Sequence, residues 1–273
     1  SHKDPNLFVY NSSVTKGLIP LLEDIWPRLK ITLPDAKLIV IGGYYKFRDD
    51  AQPDEQQKKL EELRRKCDGG AGVSFTGIIT QNQISHILTQ ASYMIYPPSF
   101  PETFGISTLE ALAHNVPILT GNFGALEETA IDAACYKIPY SIDPNSLFPW
   151  IDKNLQCERF GNMVVDAYRN KYLHQQKMYA CNAVLDICGW DSVALQWKQH
   201  FYHKLKKYLP IEDYRKVSKI NHRVAEVFGR RFRNPEELQV PRQTQRKILV
   251  ITPAYNAEAY IAKNAGSVPA ADV

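Results

Sequence analysis

The chain has no long hydrophobic run, and its cysteines are too few and too scattered to define a site. No apolar stretch in its 273 residues approaches the ~20 consecutive residues that a membrane-spanning helix needs. Its first residues also lack the charged, apolar and small-residue order of a secretory signal. We therefore expect a cytoplasmic protein.

Cysteine supplies only five residues, and none of them stands in a C-x-x-C or Cys/His pattern. This odd set indicates neither a disulfide framework nor a zinc site, so we expect reduced, mostly buried thiols and no metal. The net charge of +4 is too small to indicate a nucleic-acid partner. No Ser/His/Asp arrangement is evident, so the histidines are interpreted as surface or packing residues.

Short β-rich runs alternate with longer amphipathic runs in the first half of the chain. Predicted strands cover residues 7–10, 37–43, 73–77, 93–97 and 117–121; predicted helices cover 17–33, 53–67, 81–91 and a segment that begins at Ser107. This alternation predicts an α/β fold with a Rossmann-like parallel sheet and helices on both faces. Ligands bind such sheets beyond the carboxyl ends of the strands, so the loops that follow the strands are the candidate binding loops.

From about Asp143 the pattern becomes helical, and it includes residues 192–209 and 211–232 on either side of Pro210. We expect a domain over 1–209, a basic helical linker over 210–247, and the truncated start of another domain over 248–273. The basic side chains of the linker fit a solvated segment, or alternatively a contact with anionic membrane lipids that would place the protein peripherally at a membrane.

The stretch SFPETFGISTLEALAHNVPILT places two glutamates, Glu102 and Glu110, around a predicted helix start. Free backbone N–H groups and the helix dipole make such a start suitable for a phosphate. Ser107 and Glu110 also fit a capping box, which would give Glu110 a structural role. The residues alone favour the cap, and Glu102 alone fits a solvated loop carboxylate.

The whole string closely resembles the donor-site signature of retaining family 4 glycosyltransferases with the GT-B fold, although Asn115 stands where that family has glycine. Further stations of the same domain occur in order, so the resemblance covers roughly residues 7–209. They are the K-G pair at 16–17, PDAKLIVIG at 34–42, VSFTGII at 73–79, GALEE at 124–128 and WDSVALQW at 190–197. The tail KILVITPAYNAEAYI resembles the start of a family 2, GT-A glycosyltransferase.

The resemblance implies a set of site residues. Glu110 would accept hydrogen bonds from the donor's ribose, and Glu102 would face the hydroxyls of the transferred sugar. The backbone at Ile78 would meet the nucleobase. The start of the helix would approach the sugar and the diphosphate through Phe104, Gly105, Ile106, Ser107 and Thr108.

Lys16 would neutralise the diphosphate, and with Glu102 it forms the expected catalytic pair. The family has an arginine where this chain has Asn11, so Asn11 and Ser12 would supply neutral hydrogen bonds instead. Glu127 matches an acidic residue of the family, or is simply a helix-start carboxylate.

By resemblance, this is the donor-binding, C-terminal half of a glycosyltransferase that transfers a sugar to a glycan or similar acceptor. It would need no cofactor, and its partners would be a UDP- or GDP-sugar and an acceptor-binding domain that precedes it. We expect the chain alone to be inactive. Two alternatives stay open: a non-catalytic nucleotide-sugar-binding module and a basic membrane-interaction scaffold.

Overall fold

A computed structural model of the chain describes residues 3–13, 16–42, 55–67, 70–99, 102–139 and 153–204, with seven further positions between 210 and 220. The predicted tail 248–273 lies outside the described residues, and so does the predicted linker 210–247 apart from those seven positions. The described residues all belong to one unit of the chain, residues 1–232.

Six parallel strands form a single sheet with the order β3-β2-β1-β4-β5-β6. They are β1 (Asp4–Asn11), β2 (Lys37–Ile41), β3 (Val73–Gly77), β4 (Ala91–Tyr96), β5 (Ile118–Asn122) and β6 (Cys135–Pro139). Every residue of β4 is buried, as expected for a central strand that is covered on both faces. The predicted Rossmann-like parallel sheet is thus confirmed.

The edge strand β6 is absent from the predicted strands. It pairs with β5 in parallel, from Ile118 opposite Cys135 to Asn122 opposite Pro139. Its five residues, CYKIP, include a lysine and a proline and are buried only at the start, so they lack a clear apolar pattern. Proline is tolerated at this position because the strand ends there, on a sheet edge that requires no further partner.

Helices fill the connections between strands and then follow the sheet. They are α1 (Leu18–Pro20), α2 (Trp26–Thr32), α3 (Glu55–Cys67), α4 (Gln81–Gln90), α5 (Ile106–Ala113), α6 (Leu126–Thr129), α7 (Lys153–Arg169), α8 (Lys171–Cys188) and α9 (Trp190–Lys204). A π-helical stretch, Leu21–Ile25, joins α1 to α2, next to Pro27, which has no N–H to donate. Within the described part of the chain, no helix has both the length and the apolar character to cross a bilayer.

The predicted apolar face of the first helical segment packs into the core. Its members Leu18, Leu21, Leu22, Ile25, Trp26 and Leu29 are all at most 3% exposed. At the centre, Phe8 stacks on Tyr93 at 4.8 Å between ring centroids and meets Trp26 edge-on at 5.9 Å. Four of the cysteines are buried and Cys188 is half-buried, which confirms the expectation that the thiols are mostly buried.

The order of the strands reverses between β1 and β4. The chain proceeds from β1 to β2 and β3 on one side, whereas β5 and β6 lie on the other side of β4. A parallel sheet opens a crevice at such a reversal, beyond the carboxyl ends of the two strands. The loops that follow Asn11 and Tyr96 flank this crevice, so the fold brings together two of the candidate binding loops.

Candidate functional site

Lys16 and Glu102 meet at the carboxyl end of the sheet, although they are far apart in the sequence. Lys16 lies in the loop after β1 and Glu102 in the loop after β4. The Lys16 Nζ atom lies 2.9 Å from Glu102 Oε1 and 3.0 Å from Oε2, so the ammonium contacts both oxygens. The Glu102 side chain is only 7% exposed, whereas that of Lys16 is 30% exposed. One partner is therefore held within the protein while the other remains accessible from the crevice.

A buried pair of tyrosines lies on the protein side of the Glu102 carboxylate and holds it in place. The Tyr96 hydroxyl donates a short hydrogen bond to Glu102 Oε1, and the Tyr10 ring meets the Tyr96 ring edge-on at 6.0 Å. Burial raises the pKa of Tyr96 well above its usual value, with smaller contributions from Tyr10 and Glu102. Tyr96 therefore stays protonated and able to donate. Neither tyrosine is among the sequence-predicted site residues.

Close backbone packing fixes the two loops that carry Lys16 and Glu102. Gly17 adopts φ 113°, and a Cβ atom there would lie 1.8 Å from the Pro97 carbonyl oxygen, so only glycine fits this contact. On the other side of Glu102, its carbonyl oxygen accepts a 2.8 Å hydrogen bond from the Ala125 N–H. The backbone that carries the Glu102 carboxylate is thus held on one side by the loop after β1 and on the other side by the segment after β5.

Helix α5 begins with a glycine and without a side-chain cap. Gly105 is the N-cap residue in the left-handed conformation, and no side chain among the described residues caps the helix start. The capping-box interpretation of Ser107 and Glu110 is therefore wrong, because the helix begins at Ile106, before Ser107. The Thr108 N–H donates to the Gly105 carbonyl oxygen at 3.0 Å, whereas a helix has no intrahelical partner for its first N–H groups, here those of Ile106 and Ser107. Such groups suit an anionic ligand, and the donor contacts expected of Phe104, Gly105, Ile106, Ser107 and Thr108 stay a prediction.

Thr108 and Gly105 are tightly packed at this helix start. Thr108 is buried, and its Oγ1 has no hydrogen-bond partner among the described residues. A Cβ atom on Gly105 would come within 3.3 Å of Thr108 Oγ1 and 3.2 Å of Leu126 Cδ2. A side chain at Gly105 would be crowded by these two neighbours and strained by the left-handed backbone, φ 81°, so glycine is favoured here.

Glu110, one turn along α5, is held by side-chain amides from the end of β1 and the start of α4. Asn11 Nδ2 donates to Glu110 Oε2 at 3.2 Å, and Gln81 Nε2 donates to Glu110 Oε1 at 2.6 Å. Asn11 is buried, whereas Gln81 stands exposed at the start of α4. The structure thus brings together the predicted residues Asn11 and Glu110 and adds Gln81, which sequence reasoning missed.

Three of the predicted site residues present apolar side chains to solvent. Ile78, Phe104 and Ile106 are 81%, 50% and 44% exposed. Ser12 and Ser107 are half-buried beside them. Apolar side chains at the rim of a polar crevice suit a ligand that has both flat, apolar and strongly polar parts.

The remaining predictions concern Glu127 and metal binding. Glu127 lies in the first turn of α6, the position that its interpretation as a helix-start carboxylate requires. Within the described ranges, no group of three or more His, Cys, Asp or Glu side chains is arranged to hold a metal ion. The positive charge of this site is supplied by Lys16 and by the helix start.

Comparison with known proteins supports the resemblance that the sequence motifs indicate. The family model described as glycosyl transferases group 1 matches residues 2–166. Lipopolysaccharide 1,2-N-acetylglucosaminetransferase of Salmonella typhimurium is 22% identical over 200 residues, which are 72% of this chain and 48% of that protein. O-antigen chain mannosyltransferase B of Escherichia coli is 26% identical over 105 residues, 38% of this chain and 25% of that protein. The chain thus spans about half the length, or less, of these relatives.

Solved structures share the fold at low sequence identity. The pneumococcal O-GlcNAc transferase GtfA in complex with UDP and GlcNAc matches with a TM-score of 0.56 and 14% identity over 75% of this chain and 37% of that chain. WaaG, a glycosyltransferase involved in lipopolysaccharide biosynthesis, matches with a TM-score of 0.51 and 21% identity over 71% and 45% of the two chains. These likenesses establish the fold, the Rossmann-like α/β domain that such transferases contain.

Proposed function

The chain belongs to the group 1 glycosyl transferases, and we propose that residues 1–209 bind the nucleotide-diphosphate sugar from which a longer protein transfers a hexose. The observation that carries this proposal is the Lys16–Glu102 ion pair beside the uncapped start of α5. A cation, a buried carboxylate and a row of backbone N–H groups stand where one diphosphate sugar would meet all three.

Lys16 would exchange partners when the donor binds. Its ammonium contacts Glu102 in the described structure, but a diphosphate carries more negative charge than one carboxylate and offers more acceptor oxygens. Glu102 would then turn its lone pairs to the hydroxyls of the sugar while the Tyr96 hydroxyl continues to hold it. The ion pair thus keeps both side chains in place for a ligand that separates them.

The helix start and Glu110 would bind the other parts of the donor. Ser107, Thr108 and the first N–H groups of α5 suit the diphosphate, and the ionised Glu110 suits the ribose hydroxyls. Ile78 follows β3 at the edge of the crevice, where its backbone would meet the base. The exposed Phe104 ring and the exposed side chains of Ile78 and Ile106 would cover the base and sugar.

Chemically, this half of the enzyme would stabilise the nucleotide diphosphate that leaves as its bond to the anomeric carbon breaks and the acceptor oxygen bonds to that carbon. We propose retention of configuration, as the resemblance to retaining enzymes implies, and no need for a metal ion, because Lys16 and the α5 dipole supply positive charge. A UDP-sugar is the first choice, since a structural neighbour is described in complex with UDP, and a GDP-sugar is the second. The two curated relatives are named for N-acetylglucosamine and mannose, which favours a hexose.

The acceptor hydroxyl would come from a preceding domain, so we propose that this chain binds the donor but transfers nothing alone. Positioning of two reactants is worth about 7–11 kcal/mol of an activation barrier, which an isolated half-site forgoes. We further propose that 248–273 starts a family 2 domain and that the basic linker approaches anionic lipids. Acceptor-dependent transfer by this chain at ordinary enzyme rates would contradict the first of these proposals.

A thermal-shift screen of UDP, GDP, ADP and their sugars tests the proposed function. A ligand present at about 100 times its dissociation constant adds about 2.7 kcal/mol to the free energy of unfolding, which is easily measured. We expect one nucleotide diphosphate to stabilise the chain and the Lys16→Ala variant to lose most of that shift. Lys37→Ala is the matched control, because Lys37 pairs with Asp4 at the opposite end of the sheet. No stabilisation by any of these ligands would favour the membrane scaffold instead.

A further inference from the structure

We propose that Gln81 is a positioning residue. Together with Asn11, it orients Glu110 to accept hydrogen bonds from the two hydroxyls of the donor's ribose. This inference rests on the proposed function. Gln81 matches no part of the signature from which the site was predicted, and its role follows only from geometry. Its Nε2 lies 2.6 Å from Glu110 Oε1, while Asn11 Nδ2 lies 3.2 Å from Oε2.

The hydrogen-bond capacity of Glu110 fits this arrangement. An ionised carboxylate offers about four acceptor positions, two on each oxygen. Gln81 takes one on Oε1 and Asn11 takes one on Oε2, so each oxygen keeps one position. A vicinal diol donates two hydrogen bonds from adjacent carbons, which matches one remaining position on each oxygen. The two amides therefore hold the carboxylate without blocking the diol.

The side chains of Gln81 and Asn11, which donate these hydrogen bonds, are chemically suited to this role. Both are neutral amides, so they fix the carboxylate while leaving its negative charge available to the ligand. A lysine or arginine in place of Gln81 would neutralise Glu110 and compete with the ribose. The arrangement also places Lys16, the cation of the site, at Glu102 rather than at Glu110.

A second contact one turn further along both helices keeps Gln81 in register with Glu110. The Ser85 hydroxyl lies 2.7 Å from His114 Nε2, and His114 Nδ1 lies 2.7 Å from the Glu110 carbonyl oxygen. Because Nδ1 faces a carbonyl, the neutral ring carries its proton there and Nε2 accepts from Ser85. Residues 81 and 85 of α4 thus face Glu110 of α5 and His114, the residue that follows α5.

The start of α4 is itself fixed, so Gln81 is presented from a rigid element. Thr80 caps the helix, its side chain accepting from the Gln83 N–H and the Gln83 side chain accepting from the Thr80 N–H. Ile78, where the base is proposed to bind, precedes this cap by two residues. The same short segment would therefore position the base contact and the ribose contact together.

Calorimetric titration with UDP and 2′-deoxy-UDP tests the inference, with GDP and its 2′-deoxy form used if the chain prefers guanine. In the unsubstituted chain, we expect UDP to bind about tenfold or more tightly than 2′-deoxy-UDP, because a hydrogen bond to a charged group is lost. Gln81→Leu should weaken the binding of UDP about five- to tenfold and that of 2′-deoxy-UDP less than about twofold. The ratio between the two affinities, which measures the discrimination against the 2′-deoxy ligand, should therefore shrink.

Two further variants make the result specific. Gln83→Leu removes the α4 capping box but leaves the Glu110 contacts, so it should lower thermal stability while preserving the discrimination. In a Glu110→Gln background, Gln81→Leu should add no further loss of discrimination. Equal weakening of both nucleotides, or no weakening of either, would overturn the role of Gln81. Failure of the unsubstituted chain to bind UDP, GDP or ADP would overturn the proposed function and, with it, this inference.

Discussion

Replacing Lys16 by alanine separates the contact it makes with Glu102 from the contact proposed with the donor's diphosphate. The first contact is part of the described structure, with Nζ within 3.0 Å of both carboxylate oxygens. The second exists only in the complex. Folding stability and ligand affinity therefore report on different partners of the same side chain.

The cost to stability follows from the burial of the pair. Removing one partner of a fully buried ion pair costs about 3–5 kcal/mol, because the other charge is left unpaired. Lys16 is 30% exposed and Glu102 keeps the Tyr96 hydroxyl, so we expect a loss of about 1–2 kcal/mol in the free energy of unfolding. Adding Glu102→Gln to Lys16→Ala removes the unpaired charge and should restore part of this loss.

The cost to binding should depend on the phosphates. We expect Lys16→Ala to weaken the binding of UDP about 10- to 100-fold, which corresponds to the loss of one charged hydrogen bond. The affinity for uridine should change by less than about twofold. Urea denaturation measures the first effect, and calorimetry with both ligands measures the second. If UDP and uridine lose affinity by the same factor, Lys16 does not bind the diphosphate and the reasoning is refuted.

Three further predictions concern stability and the role of Glu110. Gly17→Ala places a Cβ 1.8 Å from the Pro97 carbonyl oxygen and should cost more than about 3 kcal/mol in urea denaturation, whereas Gly70→Ala, with φ 128° but open space, should cost about 1–2 kcal/mol. Burial, aided by nearby lysines, lowers the pKa of His174 from 6.5 to about 4, so the unfolded chain binds the proton first as pH falls. Stability should therefore decline between pH 6.5 and about 4 by about 3 kcal/mol, and His174→Phe should flatten this part of the profile; an unchanged slope would contradict it. Glu110→Ala should lower stability by about 1–2 kcal/mol, because it removes the acceptor of the buried Asn11 amide, yet weaken UDP binding more than about tenfold. A loss of stability without a loss of affinity would return Glu110 to a structural role.

The sheet could be predicted from the sequence because its inner strands are buried on both faces. Continuous apolar runs such as ASYMIY leave little choice of structure, and loops that follow such strands lie at one edge of a parallel sheet. The edge strand β6 could not be predicted in this way, because only its first residues are buried and its five positions resemble a loop. The apolar pattern that predicts a strand is weakest at the edge of the sheet, where only part of the strand is buried.

The residues of the site were predictable singly, through the resemblance, but their contacts were not. Nothing local indicates that Lys16 and Glu102 form an ion pair, since 86 positions separate them. Tyr96 and Gln81 were missed because a tyrosine in a strand and a glutamine at a helix start are ordinary residues there. The signal that could have found Tyr96 is its position as the last residue of a strand that ends at the crevice.

The capping-box interpretation failed for an identifiable physical reason. Ser107 and Glu110 have the required spacing, but Gly105 adopts φ 81° and takes the N-cap position itself. The helix consequently begins before Ser107 and moves Glu110 beyond the first turn. A glycine two residues before an apparent cap is therefore a warning that the helix starts earlier than the motif indicates.

Hydrogen–deuterium exchange of the chain with and without a saturating nucleotide diphosphate tests the central claim most directly, because it locates the bound ligand. We expect slower exchange in peptides that cover the start of α5 and the loops after β1 and β3, since ligand contacts stabilise those N–H groups. Exchange in α9 should not change, because that helix lies outside the proposed site. Protection confined to α9, or binding without slower exchange at residues 104–110, would contradict the placement of the donor site.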